Sequence, residues 1–161
     1  MKMLVSLIDR ILNLVLVSCL AGLVMVILWQ VASRYLLNDP SSFTEEAARF
    51  LLIWICLLGS CYAFRTRSHL GLNILTQQLN NSLQLRTRRF VLLIVILFAA
   101  LVLVTGGTKL VWLTLKLQQT SAAMGIPMAY IYSVLPASGV LFLFYSLHLW
   151  NADTEYEGKP Q

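Results

Sequence analysis

A compact group of charged side chains of both signs comprises Glu45, Glu46 and Arg49. Glu45 and Arg49 are spaced i, i+4, so on a helix they share one face and can form an ion pair. Two carboxylates beside a guanidinium could also bind a charged partner. The simpler interpretation is a capped helix start with an interfacial ion pair, and the two interpretations are compatible.

Two histidines, His69 and His148, could be considered as haem ligands of a membrane cytochrome. Axial ligation needs two imidazoles that face each other in a helix bundle, whereas His69 directly precedes an amphipathic segment. A solvated interfacial histidine is therefore the favoured interpretation. No nucleophile and base pair, phosphate-binding glycine loop or metal-ligand spacing is present in the sequence. These patterns predict no enzyme activity, no cofactor and no metal.

Composition places the chain in a membrane. Of 161 residues, 58% are hydrophobic and 12% are charged, against about 25% charged residues in soluble domains. The uncharged run at residues 11–33 exceeds the roughly 7 to 15 residues of a signal-peptide core, so we expect a retained first span. The sequence predicts an all-α integral membrane protein with a single membrane domain at residues 1–152 and a disordered cytoplasmic tail at residues 153–161.

Apolar runs of about 20 residues predict four transmembrane helices, at residues 11–33, 43–64, 90–115 and 127–150. The S-x-x-E pattern of Ser42 and Glu45 predicts a capping box at the start of the second span. Gly106 and Gly107 would permit a bend in the third. Residues 118–125 are small and polar and predict a tight turn before the fourth.

Prolines and a tryptophan mark the fourth and second spans. Pro127 suits the first turn of the fourth helix, and Pro136 inside it predicts a kink. Trp54 lies in the middle of the second span. At that depth a tryptophan is more typical of packing or lipid contact than of substrate binding.

A fifth helix is predicted between the second and third spans, at residues 70–85. Its leucines recur at spacings of three, four and four, at Leu72, Leu75, Leu79 and Leu83. Such a segment is amphipathic but too short to span, so we expect it to lie flat in the cytoplasmic interface.

The distribution of basic residues predicts that both termini are cytoplasmic. With the N-terminus inside, eight of the twelve Lys and Arg residues lie in cytoplasmic segments, as the positive-inside rule favours. The other four lie on the opposite side, at Arg34, Arg49, Lys109 and Lys116.

Two stretches resemble a known family. The first is Ser42-Phe-Thr-Glu-Glu-Ala-Ala-Arg-Phe50, and it is followed by Trp54, Gly59, Arg65 and His69; the second is Gly125-Ile-Pro-Met-Ala-Tyr130, followed by Pro136. In their order and spacing they resemble the small permease subunit, of DctQ type, of tripartite ATP-independent periplasmic (TRAP) transporters. The resemblance covers roughly residues 11–150. Phe43 stands where the family commonly has Trp, and Asn73 where it often has Asp.

The resemblance implies a small membrane subunit of a bacterial inner-membrane importer. Its partners would be a large membrane subunit, which holds the sodium and substrate sites, and a periplasmic substrate-binding protein that delivers an organic acid such as a C4-dicarboxylate, a sugar acid or sialic acid. The small subunit would be the scaffold and membrane anchor of the large one.

On this resemblance, two sets of residues are candidates for contacts. The first set, for protein partners, consists of Arg34, Glu45, Glu46, Arg49, Trp54, Pro127 and Tyr130. The second set, for anionic lipid headgroups on the cytoplasmic side, consists of Arg65, Arg67, Arg86, Arg88 and Arg89.

Two alternatives from other classes remain open. An autonomous homo-oligomeric carrier, like the four-span multidrug exporters, needs a carboxylate embedded in the first span, and residues 11–33 contain none. Ionisable groups at that depth are costly and persist for function. A cytochrome or quinone-enzyme anchor is disfavoured by the placement of the histidines.

Overall fold

The structure is a computed structural model that describes residues 2–36, 41–66 and 81–157, and these residues contain helices but no β-strand. We number the α-helices α1 (Lys2–Leu36), α2 (Ser42–Arg65), α3 (Asn81–Phe98), α4 (Gly107–Lys116), α5 (Met128–Tyr132) and α6 (Val134–Glu157). A π-helical segment, Ala99–Gly106, joins α3 to α4 in one continuous rod.

Among the described residues, four segments are long and apolar enough to cross a membrane, in agreement with the predicted number of spans. They are Val5–Leu36, Ser42–Arg65, Arg89–Lys116 and Met128–Trp150. The first begins well before the predicted residue 11, because the helix continues through Asp9 and Arg10. The first span therefore contains an acid near one end, which the sequence analysis left outside it.

The spans pack in the order α1, α2, α6 and then the rod of α3, the π-helical segment and α4. Trp54 contacts Ile131 of α5 and Cys61 contacts Ser138 of α6, with the same separation of 77 residues in both cases, so α2 and the fourth span run parallel. We call the end of the bundle where α2 finishes, at Arg65, the terminal end. The opposite end, where the third and fourth spans are connected, is the loop end.

The third and fourth spans cross in close contact at two glycines. A Cβ atom on Gly139 would lie 2.8 Å from Cβ of Leu103, and one on Gly107 would lie 2.9 Å from Cδ of Pro136. Small residues of this kind let helix backbones approach closely in membranes. Gly106 and Gly107 both have helical φ and ψ values, and Gly107 packs against Pro136. The bend that these glycines would permit stays a prediction.

The predicted capping box does not form at the start of α2. Ser41, not Ser42, is the N-cap residue, and its side chain makes no capping hydrogen bond. The Thr44 hydroxyl donates to the Ser41 carbonyl at 2.8 Å, and the Glu45 side chain pairs with Arg49 instead of reaching back. The box fails because Ser42 is already helical, one residue earlier than the pattern requires.

The fourth span is interrupted, as Pro136 predicts. The helix breaks at Ser133, between α5 and α6, because Pro136 has no N–H to donate to the carbonyl four residues earlier. Pro127 was expected within the first turn of the fourth helix. It is instead the N-cap residue of α5 and directly precedes that turn.

Two expectations fall partly outside the described residues. Of the predicted interfacial helix, residues 70–80 lie outside them, and residues 81–85 belong to α3. The backbone of α6 is helical through Glu157, where a disordered tail from residue 153 was expected. Helical hydrogen bonds are local and do not need an apolar partner to extend a helix. Residues 158–161 are not described.

Candidate functional site

The connection between α4 and α5 is a compact turn, as predicted for residues 118–125. The Ser121 N–H donates to the Ile126 carbonyl at 2.9 Å, and the Met128 N–H donates to the Gln119 carbonyl at 2.9 Å. Gly125 has a φ of 66°, a left-handed conformation that glycine adopts without steric cost. These bonds give the loop end a defined backbone surface.

Glu46 holds this turn from the first turns of α2. One of its carboxylate oxygens, Oε2, accepts hydrogen bonds from the Ser121 hydroxyl, from the Ala123 N–H at 3.0 Å and from the Met124 N–H at 3.3 Å. Hydrogen bonds from neutral donors to a carboxylate are stronger than those between neutral groups. We call Glu46 and the turn it binds the loop clamp.

Glu45 and Arg49 form the ion pair predicted from their spacing. Their side chains are 55% and 68% exposed, respectively, so the pair lies on the surface. Together with Ser42, Glu46 and residues 122–123 it lines an open groove beside the loop clamp. The pair can present both signs of charge to a partner while its members neutralise one another.

The other predicted partner-contact residues divide by exposure. Arg34, Pro127 and Tyr130 are exposed. Trp54 is half-buried, and its indole N–H donates to the Ile131 carbonyl at 3.2 Å. Trp54 therefore fastens α2 to α5 inside the chain, and this contact was not anticipated.

A second polar cluster lies at the terminal end and joins three spans. The hydroxyl of Tyr145, a fully buried residue of α6, donates to Asp9 Oδ1 of α1 at 2.8 Å. Arg65 Nε of α2 lies 3.6 Å from Asp9 Oδ2, and this Nε is buried without a hydrogen bond. We call Asp9, Arg65 and Tyr145 the terminal cluster. Its charges compensate one another across helix boundaries.

The terminal cluster changes the picture of the predicted lipid-contact arginines. Arg65 faces Asp9 and is 28% exposed, so it has a partner inside the chain. Arg86 is exposed, and the Arg89 guanidinium lies 6.0 Å from the centre of the Trp150 ring. Arg67 and the side chain of Arg88 lie outside the described part of the structure, as does His69. His148 is half-buried on α6.

Asp9, Ser121 and Tyr145 are not among the residues predicted from the sequence. A signal for Asp9 was present: it is spaced i, i+4 and i, i+3 from Val5 and Leu12, both of which are buried, so it falls on the buried face of α1. No local pattern marks Ser121 or Tyr145. Among the described residues, no group of three His, Cys, Asp or Glu side chains is placed to hold a metal ion. Both clusters tie elements of the chain together.

Comparison with known proteins agrees with this architecture. Residues 23–153 match the family described as tripartite ATP-independent periplasmic transporters, DctQ component. The chain is 32% identical, over 91% of its length and 83% of the relative's, to the sialic acid TRAP transporter small permease protein SiaQ of Vibrio cholerae. It is 27% identical to the C4-dicarboxylate TRAP transporter small permease protein DctQ of Rhodobacter capsulatus, over 72% of this chain and 59% of that one.

A third relative is much longer. The isethionate TRAP transporter permease protein DctMQ of Oleidesulfovibrio alaskensis is 31% identical over 76% of this chain, which corresponds to 20% of that protein. A region similar to this chain thus forms part of a larger permease polypeptide, in keeping with small permeases that work with large ones. The chain is a multi-pass inner-membrane protein, and it belongs to the DctQ family, the small permease component of TRAP transporters.

Proposed function

We propose that this chain is the scaffold and membrane anchor of the large transport subunit in a sodium-coupled importer that receives an organic acid from a periplasmic binding protein. The relatives' names support sialic acid or a C4-dicarboxylate as the substrate class. Sugar acids have the same carboxylate chemistry and remain in the proposed class.

The observation that carries this proposal is how little of each span the chain buries by itself. In the most apolar window of each span, the buried share is 11% in the first and second, 22% in the third and 33% in the fourth. The hydrophobic effect gives no drive for helix association inside lipid, so membrane helices associate through close packing and hydrogen bonds. Long spans with so few internal contacts fit a subunit that completes its packing against a larger membrane protein.

The two polar clusters support the same role. The Glu46 carboxylate is hydrogen-bonded to the turn, and the Asp9 carboxylate accepts a hydrogen bond from Tyr145 and pairs with Arg65. Carriers that couple transport to protons or sodium use ionisable groups that exchange partners within the membrane. Here the acids nearest the ends of the spans serve internal contacts, which is what a stationary scaffold requires.

For orientation, we propose that the terminal end is cytoplasmic and the loop end periplasmic, with both termini inside. The terminal end then carries Arg86 and Arg89, two of the predicted lipid-contact arginines, within reach of anionic headgroups. The exposed residues of the loop end, Arg34, Glu45, Arg49, Pro127 and Tyr130, form the candidate surface for the periplasmic binding protein. The loop clamp keeps the backbone of this surface in one conformation.

Co-purification tests the scaffold role. This chain carries an affinity tag and is expressed with the large membrane subunit of the same system, and the two are purified in mild detergent. We expect both subunits in one stable complex. Recovery of this chain alone, as a homo-oligomer, would instead favour an autonomous carrier.

A charge-swapped variant separates partner contact from internal pairing. The double substitution E45R/R49E keeps an i, i+4 ion pair on α2 but reverses the charge seen at each position. If this surface contacts the binding protein, the swap should slow binding-protein-dependent uptake several-fold while the membrane complex stays intact. Unchanged uptake would exclude these two residues from the docking surface.

A further inference from the structure

The exposed face of α4 carries two lysines on either side of a tryptophan. Lys109, Trp112 and Lys116 are spaced by three and four residues, so they lie on one side of the helix. All three side chains are exposed, and the exposed fraction of Trp112 is 62%. Lys116 Nζ lies 5.0 Å from the centre of the Trp112 ring. We call these three residues the lysine face. The opposite side of α4 carries the buried Gly107 and Thr114.

The position of the lysine face along the third span matches the dimensions of a bilayer. Lys109 is 20 residues beyond Arg89, roughly 30 Å along a helix at 1.5 Å per residue, which is the thickness of the hydrocarbon core. Lys116 is 27 residues beyond Arg89, roughly 40 Å, which approaches the thickness that includes both headgroup layers. Arg89, paired with the Trp150 ring, therefore marks one headgroup layer and the lysine face marks the other.

The side chains around the lysine face fit the interface between lipid tails and headgroups. Leu113, Leu115 and Leu117 are about half-exposed and offer apolar surface to acyl chains. A tryptophan ring suits this depth, where one edge is apolar and the other is wet. Lysine stems lie along apolar surface while their ammonium groups reach outward to charge. No acidic side chain among the described residues forms an ion pair with Lys109 or Lys116.

We propose that the lysine face binds the phosphate groups of anionic phospholipids at the loop end and thereby fixes the depth of the third span. The two ammonium groups attract the phosphates, and the Trp112 ring lies at the boundary between the headgroups and the acyl chains. Lysines near a membrane surface are attracted to anionic lipid headgroups. The inference does not depend on the transporter assignment, since any bilayer that contains such lipids supplies the ligand.

Quenching of Trp112 fluorescence by brominated lipids tests the proposal. The chain is prepared with Trp112 as its single tryptophan, by the substitutions W29F, W54F and W150F, and reconstituted in phosphatidylcholine with a minor fraction of phosphatidylglycerol. Bromine is placed near the headgroup end of the acyl chains, either in the phosphatidylglycerol or in an equal amount of phosphatidylcholine. We expect brominated phosphatidylglycerol to quench Trp112 about twofold more strongly, because it is enriched at the lysines.

Substitution of the lysines gives the matched comparison. K109Q/K116Q should make the two brominated lipids equally effective, whereas R34Q, which removes an exposed charge at the same end on α1, should leave the difference intact. Equal quenching by both lipids in the chain with its lysines would overturn the proposal. So would loss of quenching by either lipid once the large subunit is bound, because it would assign the lysine face to a protein partner.

Discussion

The loop clamp and the terminal cluster use one carboxylate each in different ways. Glu46 is bound by a hydroxyl and two backbone N–H groups of a single turn, so it shapes a surface. Asp9 is bound by two side chains from other spans, Arg65 and the fully buried Tyr145, so it joins the helices of the bundle. The end proposed to meet a soluble partner is therefore organised by neutral donors, a hydroxyl and two backbone N–H groups. The other end is organised by charge compensation between helices.

The strongest way to break this comparison is to remove Asp9. D9A would leave Arg65, which is largely enclosed, without its counter-charge and Tyr145 without its acceptor. We expect a loss of about 2 to 3 kcal/mol in the free energy of unfolding, measured by denaturant unfolding in detergent.

The neighbouring charge provides the control for D9A. R10Q changes an exposed residue of the same helix turn and should have little effect. The double variant D9L/R65M removes both charges together and should recover much of the stability lost in D9A. If D9L/R65M were as unstable as the sum of its single variants, charge compensation would not be what Asp9 supplies.

Removal of the Tyr145 hydroxyl is a milder change to the same cluster. Y145F keeps the buried ring and its edge contact with Phe144 but loses the hydrogen bond to Asp9. We expect a cost of about 1 kcal/mol, from thermal unfolding followed by circular dichroism. In a D9N background the cost should shrink, and an undiminished cost would show that the hydroxyl acts through another partner.

At the loop end we expect a local effect in place of a global one. E46A removes the acceptor of three donors in one turn, but α2 keeps its contacts with α5 through Trp54 and with α6 through Cys61. The rate at which a cysteine introduced at Ala122 reacts with a water-soluble maleimide should rise several-fold, while the unfolding midpoint changes little. E45A, one residue away, serves as the control and should leave the reaction rate unchanged.

The smallest effect is expected for the surface pair. E45Q or R49Q should change the unfolding free energy by less than about 0.5 kcal/mol, because exposed ion pairs contribute little. Their effect should appear only in assembly or in binding-protein-dependent uptake. A stability loss as large as that of D9A would show that the two ends are not organised differently after all.

The features that could be predicted from the sequence are those with local causes. Span number and approximate boundaries follow from uncharged runs and turn formers, and the Glu45–Arg49 pair follows from helical spacing. The break before Pro136 follows from a missing N–H. Each of these features depends on residues within a few positions of one another, so a short stretch of sequence is enough to predict it.

The contacts that could not be predicted join distant parts of the chain. Asp9 and Tyr145 are 136 residues apart, and Glu46 and Ser121 are 75 apart. Only the packing of the spans brings them together. The first span was drawn from residue 11, since charge was taken as its boundary, and this excluded Asp9. The contact of Gly107 with Pro136, on another span, likewise has no local signature.

Reconstituted uptake tests the central claim, that this chain supports transport without carrying the transport site. Proteoliposomes are prepared with this chain alone, with the large subunit alone and with both, each with the binding protein, the organic acid and an inward sodium gradient. The account predicts uptake only when both membrane subunits are present. Sodium-driven uptake by this chain alone would contradict it and would place a transport site within these four spans.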